Sequence, residues 1–402
     1  MELKNKVLEL SKEIEAEIIQ YRRFLHENPE LHLDLPITTA YVKERLTEMG
    51  YEPVDCGKSG IVVVVGKGEG KVFMIRGDMD ALPVKEEADL TFKSNNENMH
   101  ACGHDLHTAM LLGAAKVLKK LESDIPGKIK LMFQPGEETL SGAKEMIENG
   151  LLENPKVDAA LMIHAMTGFP VPEGKLVYSE QGAVTAASDT FEIVVQGKGG
   201  HGAMPDTTID PINVAVHIHQ MLQSINSREI SPSDTAVLTI GSLKAGDAAN
   251  VIPDKAILLG TIRTFSEKTR EFIKDRLVNI SINTALGLRA KAEVNFLRGC
   301  PSVVGDEDLS QKIKEYLKEI FKEEDVLPFN AFLPDGRLSG SEDFAYVSLK
   351  VPSIFLILTA GNSENGYPYP QHHPKAVFDE DVLWKGTATY AYTAIRWLED
   401  NN

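Results

Sequence analysis

The chain has 402 residues, 43% hydrophobic and 25% charged, a balance that excludes collagen-like, disordered and disulfide-scaffold classes. Its 42 basic and 59 acidic side chains leave a formal charge of −17 with no Lys/Arg-rich stripe, which argues against a nucleic-acid partner. Cys56, Cys102 and Cys300 lie far apart and suit a reducing compartment; no apolar run is long enough to span a bilayer, and the N-terminus reads as a charged amphipathic helix rather than a signal peptide, so a cytoplasmic protein without a membrane partner is expected.

An opening helix is predicted near residues 4–27 and a second near 37–49, ended by Gly50. The run IVVVV at 61–65 has no polar alternation, as in a strand covered on both faces. VFMIR (72–76), KIKLMFQ (128–134), DAALMIHA (158–165) and PSIFLIL (352–358) are of the same kind, with helical patterns near 107–121, 141–150, 307–322 and 381–399. That alternation predicts an α/β domain with a mainly parallel sheet. Residues 185–297 read differently: strands at 190–197, 236–245, 255–264 and 290–299, with helices at 209–227 and 267–287. The order βαββαβ is that of a ferredoxin-like unit. A two-domain chain is expected, its catalytic domain in two pieces, 1–184 and 298–402, around an inserted domain at 185–297.

The densest chemistry is MHACGHDLHTAM (99–110), which places His100, Cys102, His104, Asp105 and His107 within eight residues. Thiolate, imidazole and carboxylate together suit Zn²⁺, with Mn²⁺, Co²⁺ or Ni²⁺ as competitors. Cys102 and His104 flank a glycine, so a short loop can aim both at one point. Three further features follow strand ends, where α/β sheets place ligands: Asp78 and Asp80 in RGDMDALP, Glu137 and Glu138 in QPGEET, and His164. Singly, each has a plain structural reading as a turn cap, a solvated helix start or a core histidine; their recurrence at strand ends argues for a site.

Adjacent glutamates can divide labour. One binds metal while the other takes a proton from a metal-bound water, whose pKa falls from 15.7 to about 7. The chemistry indicated is metal-assisted hydrolysis of an acyl compound. QHHPKAVFDEDV (371–382) offers His372 or His373 to complete a two-metal site, and Asp343 in LSGSEDFAY (338–346) is expected to line the substrate pocket.

Gly197, Gly199 and Gly202 form a G-x-G-x-x-G, but Pro205 and the turn-like 206–208 delay the helix, against a dinucleotide site. The glycines instead present His201. There is no G-x-S-x-G, and HENPELH (26–32) is not H-E-x-x-H. His26, His32, His217 and His219 are read as structural.

Taken together, RGDMDALP, MHACGHDLHTA, QPGEE, His164, GKGGHGAMPD (197–206), NVIPDKA (250–256), GTIRT (260–264), SGSEDFAY and HHPK resemble, in order and spacing, the metal-dependent amidohydrolases of the aminoacylase/carboxypeptidase clan. The similarity runs from about residue 18 to the C-terminus. It lies on the branch of hippurate hydrolases, N-acyl-amino-acid amidohydrolases and indole-acetyl-amino-acid hydrolases. The resemblance implies two divalent metal ions (Zn, Mn, Ni or Co), with Cys102 as the shared ligand and His104, Glu138, His164 and His372 completing the set. It implies Glu137 as general base and Asp80 as a residue orienting a ligand. It implies that His201 reaches a neighbouring subunit's active site in a homodimer, with Asn250 nearby, and that the inserted domain serves dimerisation and closure. Arg263 is the local cation expected to meet an anionic substrate.

The function implied is hydrolysis of N-acyl-L-amino acids; a dipeptidase or carboxypeptidase using the same site is the alternative. A non-catalytic binding protein on this scaffold is disfavoured because both glutamates and every implied ligand are present. The closing motif departs from the family in having Ala376 where an aromatic residue usually follows the lysine.

Overall fold

A computed structural model describes residues 2–333 and 335–402. Two units are distinguished: residues 2–184, 303–337 and 343–402 in the first, and 185–302 with 338–342 in the second.

The first unit is built on eight strands: β1 (Val54–Asp55), β2 (Ile61–Val65), β3 (Val72–Asp78), β4 (Lys128–Gln134), β5 (Ala159–Met166), β6 (Leu176–Tyr178), β7 (Val326–Pro328) and β8 (Ser353–Thr359). Their spatial order is β1-β2-β4-β3-β5-β8-β6-β7. The central run β4-β3-β5-β8 is parallel; β2 joins β4, and β6 joins β8, in antiparallel fashion. Every residue of β3 and β8 is buried, which is why these segments show no polar alternation. The helix His104–Lys120 is also buried almost all round, packed with the helices Glu15–Glu27 and Leu383–Asn401 in one continuous core.

Two helix boundaries differ from the sequence expectation. The opening segment is two helices, Leu3–Glu13 and Glu15–Glu27, broken at Ile14; no Gly or Pro marks the break, and Ile14 itself is buried in the core. The helix expected from 107 begins at His104, because Gly103, in the left-handed conformation, occupies the N-cap in place of the usual Ser, Thr, Asp or Asn.

The second unit has a four-stranded antiparallel sheet in the order Ala236–Lys244, Lys255–Thr264, Ala187–Gln196, Lys291–Cys300. Strand Lys255–Thr264 alternates buried and half-buried positions along most of its length, so one face is better covered than the other. The helices Pro211–Ser224 and Glu267–Gly287 supply that cover, and Phe191, Ile193, Val214, Ile218, Ile262 and Leu277 form a separate core. No helix among the described residues is long and apolar enough to cross a membrane.

Candidate metal centre

The parallel strands deliver their carboxyl ends to one place. After β3 comes Asp80, whose two carboxylate oxygens accept the backbone N–H groups of Glu137 (3.0 Å) and Glu138 (3.1 Å) in the turn after β4. That turn needs Gly136: its φ is +67°, and a Cβ there would stand 2.5 Å from Leu33. The Asp80 carbonyl accepts the Nδ1 proton of His104 (2.8 Å), which leaves Nε2 for other business. Cys102 and His104 diverge from the left-handed Gly103, where a Cβ would press on the Phe378 ring.

From β5, His164 donates Nδ1–H to the Ala165 carbonyl and turns Nε2 to within 3.6 Å of the Cys102 sulfur. His372 adopts φ +65°, a conformation costing a non-glycine residue about 1–2 kcal/mol. Its backbone N–H is held by the Ala101 carbonyl (2.9 Å), and its Nε2 lies 3.4 Å from Cys102 Sγ and 3.6 Å from Glu138 Oε1. His373 turns away, its Nδ1 accepting from the Lys375 N–H and its ring stacked on Tyr369.

Of the sets of donor atoms close enough to hold a metal ion among the described residues, three combine the expected ligands: Cys102, His104 and His164; Cys102, Glu138 and His372; and His104, Glu137 and Glu138; a further set joins Asp78 to His104 and His107. Cys102 belongs to two of them. The electrostatics call for a cation. Burial, with Glu138 beside it, raises the Cys102 thiol well above its ordinary range, and burial lifts Glu138 to about 7. Burial opposes charge on His104, yet its neighbours, the Asp78 carboxylate foremost, outweigh it and hold its pKa well above the ordinary value. Burial depresses His164 strongly and, with His104, lowers His372, so both imidazoles are neutral. His104 Nε2 and Glu138 Oε1 are buried and make no hydrogen bond among the described residues. Two neutral imidazoles, a thiol and clustered carboxylates around unsatisfied donor atoms fit a divalent metal.

Beneath this cluster lies a buried network that the sequence reading missed. Arg76, in the apolar run VFMIR, is fully buried: its Nη1 is 2.8 Å from Asp78 Oδ2, and its Nε donates to Gln134 Oε1 (2.9 Å). Asp78 Oδ1 accepts from His107 Nδ1 (2.5 Å), whose Nε2 accepts the Ala165 N–H (2.7 Å). Asp343, expected to line the substrate pocket, is fully buried, with a carboxylate oxygen within 4.8 Å of one of Glu137; it accepts from Gln134 Nε2 (2.6 Å) and the Ala143 N–H (2.9 Å). The signal available was a basic residue inside a strand covered on both faces, which must find buried partners.

The remaining expected residues lie in the second unit. The short pair Gly200–His201 and Val251–Ile252 sets His201 opposite Val251, next to Asn250, whose carbonyl accepts the Gly202 N–H (2.9 Å). His201 is exposed and its Nδ1 accepts the Ala203 N–H (3.1 Å), so its Nε2 carries the proton. Arg263, half-buried in strand Lys255–Thr264, donates to the Ile262 carbonyl (3.1 Å).

The pattern of peptidase family M20/M25/M40 matches residues 74–396. The chain belongs to this family. Its relatives include thermostable carboxypeptidase 2 of Saccharolobus solfataricus, 38% identical with 99% of each chain covered. Hippurate hydrolase of Campylobacter jejuni is 36% identical, covering 96% of this chain and 98% of that one. Among solved structures, a dinuclear metal-binding M20 peptidase of Bacillus subtilis superposes with a TM-score of 0.78 at 32% identity, covering 96% of this chain and 99% of that one. The M20 protein described here is an amidohydrolase-type enzyme.

Proposed function

We propose that this M20 enzyme hydrolyses the amide bond of N-acyl-L-amino acids, releasing a carboxylate and the free amino acid. The observation carrying the reading is the Asp80 cradle, which presents Glu137 and Glu138 side by side to the donor cluster around Cys102. Cys102, His104, Glu138, His164 and His372 would hold two divalent metals, Zn, Mn, Ni or Co, with the Cys102 sulfur shared. Bound there, the metals polarise the amide carbonyl and make water more acidic. Asp80 holds the two glutamates apart and fixes the His104 tautomer. Glu137 takes a proton from the attacking water as its oxygen bonds to the carbonyl carbon, and returns a proton to the nitrogen as the C–N bond breaks. His201, with Asn250, donates to the scissile carbonyl, and Arg263 receives the substrate's carboxylate.

A homodimer through the second unit fits this arrangement. Its helix Pro211–Ser224 exposes Ile212, Val216 and Met221, and its edge strand exposes Val237 and Leu243. Apolar residues beside an edge strand suit a second copy of the chain.

Glu137→Gln tests the central role: turnover is expected to fall about 10²–10⁴-fold with metal content unchanged, and undiminished activity would remove Glu137 from the reaction. The carboxypeptidase relative favours short peptides as a second reading. Comparing kcat/KM for acetyl-, benzoyl- and indole-acetyl-amino acids with that for dipeptides decides between them.

A further inference from the structure

We propose that Arg76 is a positioning residue that keeps Asp78 out of the metals' ligand set, so that Cys102, and not Asp78, is the donor shared between the two triads. The inference rests on the metal-binding reading above and concerns a residue outside it.

Two donors on one metal, with bonds of about 2.0–2.3 Å, stand about 3–3.7 Å apart. The contacts within the donor cluster have that separation: Cys102 to His164 at 3.6 Å, Cys102 to His372 at 3.4 Å, His372 to Glu138 at 3.6 Å. Asp78 has it too. Its Oδ2 is 3.5 Å from His104 Nε2, the nitrogen that also faces Glu137 Oε2 at 3.9 Å. By distance alone Asp78 is a ligand, and a carboxylate oxygen is a good one for every metal under consideration.

Its other neighbours set Asp78 apart. Arg76 Nη1 sits 2.8 Å from Oδ2, and His107 Nδ1 sits 2.5 Å from Oδ1. His107 must carry its proton on Nδ1, because its Nε2 accepts the Ala165 N–H. Oδ1 is therefore taken by a donor, while Oδ2 makes no hydrogen bond among the described residues and is held by the Arg76 charge. The guanidinium is fixed in turn: Nε donates to Gln134 Oε1, Gln134 is anchored on Asp343, and Nη2 lies 3.5 Å from the same Asp343 oxygen. Arg76, Asp78, His107, Gln134 and Asp343 are all buried to the last few per cent. Spanning Asp78 and Gln134 at once needs the planar fork of arginine, which the point charge of lysine does not supply. Released from Arg76, Asp78 would add an oxygen donor and occupy coordination space that reacting groups need.

The test is cobalt reconstitution of wild type, Arg76→Met, Asp78→Asn and the double variant, reading cobalt content, absorption spectrum, kcat and KM. Arg76→Met is expected to bind cobalt at least as tightly as wild type while its visible d–d absorption weakens, as it does when coordination number rises. Its kcat should fall about 10–100-fold, with KM within about threefold. Adding Asp78→Asn should restore the wild-type spectrum and about tenfold of the lost kcat. A general packing defect would instead lower cobalt affinity and leave the double variant no better. An unaltered spectrum in Arg76→Met, or no recovery in the double variant, overturns the proposal. Should Arg76→Met fail to fold, Asp78→Asn decides: a wild-type cobalt spectrum is expected, and a changed one shows that Asp78 was a ligand all along. Wild-type protein that binds no cobalt overturns the metal reading itself, whereas normal cobalt binding with indifferent variants overturns this inference alone.

Discussion

The carboxylate of Asp80 accepts the backbone N–H of Glu137 at 3.0 Å, and its second oxygen does the same for Glu138 at 3.1 Å. A single side chain thus sets the directions in which two neighbouring glutamates leave the turn, while its own carbonyl orients His104. Asp80→Asn replaces one acceptor oxygen by an NH₂ that faces an N–H donor. We expect kcat to fall about 10–100-fold, with weaker metal binding, because outer partners of ligating groups carry effects of that size. Steady-state kinetics alongside metal titration check this; unchanged values for both would show that the turn holds itself.

Metal removal should cost stability as well as activity. Without a cation the cluster keeps Asp78, Glu137, Glu138 and Cys102 together in a buried space, and Glu138 is already pushed up to about 7 by its burial. A ligand present at about 1,000 times its Kd stabilises the native state by about 4 kcal/mol. Chelated protein should therefore lose turnover and unfold at lower temperature. Addition of Zn²⁺, Mn²⁺, Co²⁺ or Ni²⁺ should restore both, and calorimetry with and without chelator is the measurement.

The gathering of several candidate donors at one place was legible in the sequence for a physical reason. Cys102 and His104 flank Gly103 and Glu138 follows β4, where backbone geometry exposes short polar side chains, whereas His164 lies within β5 and His372 in a loop well past β8. The network beneath them was not legible, because it is made by pairing distant segments: Gln134 and Asp343 are 209 residues apart. The polar run around Asp343 marks it as a residue near the site, but not that Gln134 and the Ala143 N–H hold its carboxylate. Strands β6 and β7, three residues each, are too short to show a period and are fixed by pairing with their neighbours. The start of the helix at His104 was misplaced because a left-handed glycine stands where a polar cap is usually found.

A pH prediction follows from His26, which is buried and bonded through Nδ1 to Asp105 (2.8 Å) and through Nε2 to Glu86 (3.1 Å). Burial and the adjacent Arg22 oppose its charge, but the two carboxylates outweigh them and hold its pKa above the ordinary 6.5. The folded protein then binds this proton more tightly than the unfolded chain. The resulting stabilisation is complete below 6.5 and is lost as pH rises through the higher folded value. His26→Gln cannot take up the proton. The stability difference between wild type and variant, from denaturant midpoints, should be largest below pH 6.5 and shrink as the pH rises above it; a constant difference would mean that His26 is neutral in the fold.

The proposed role of His201 in a neighbouring subunit gives a quantitative test. Its Nε2 carries the proton on an exposed ring, so it has a donor to offer. His201→Ala and Glu137→Gln should each be inactive, for separate reasons. If His201 acts in trans, a mixed dimer has one site built from the intact Glu137 of one chain and the intact His201 of the other, and a second site lacking both. Random exchange at equal concentrations makes about half the dimers mixed, each with one working site in two, so about a quarter of wild-type activity should return. If His201 serves its own chain, every site in the mixture carries one defect and nothing is regained. Subunit exchange confirmed by mass, with no activity restored, would place His201 in its own chain's site or outside catalysis.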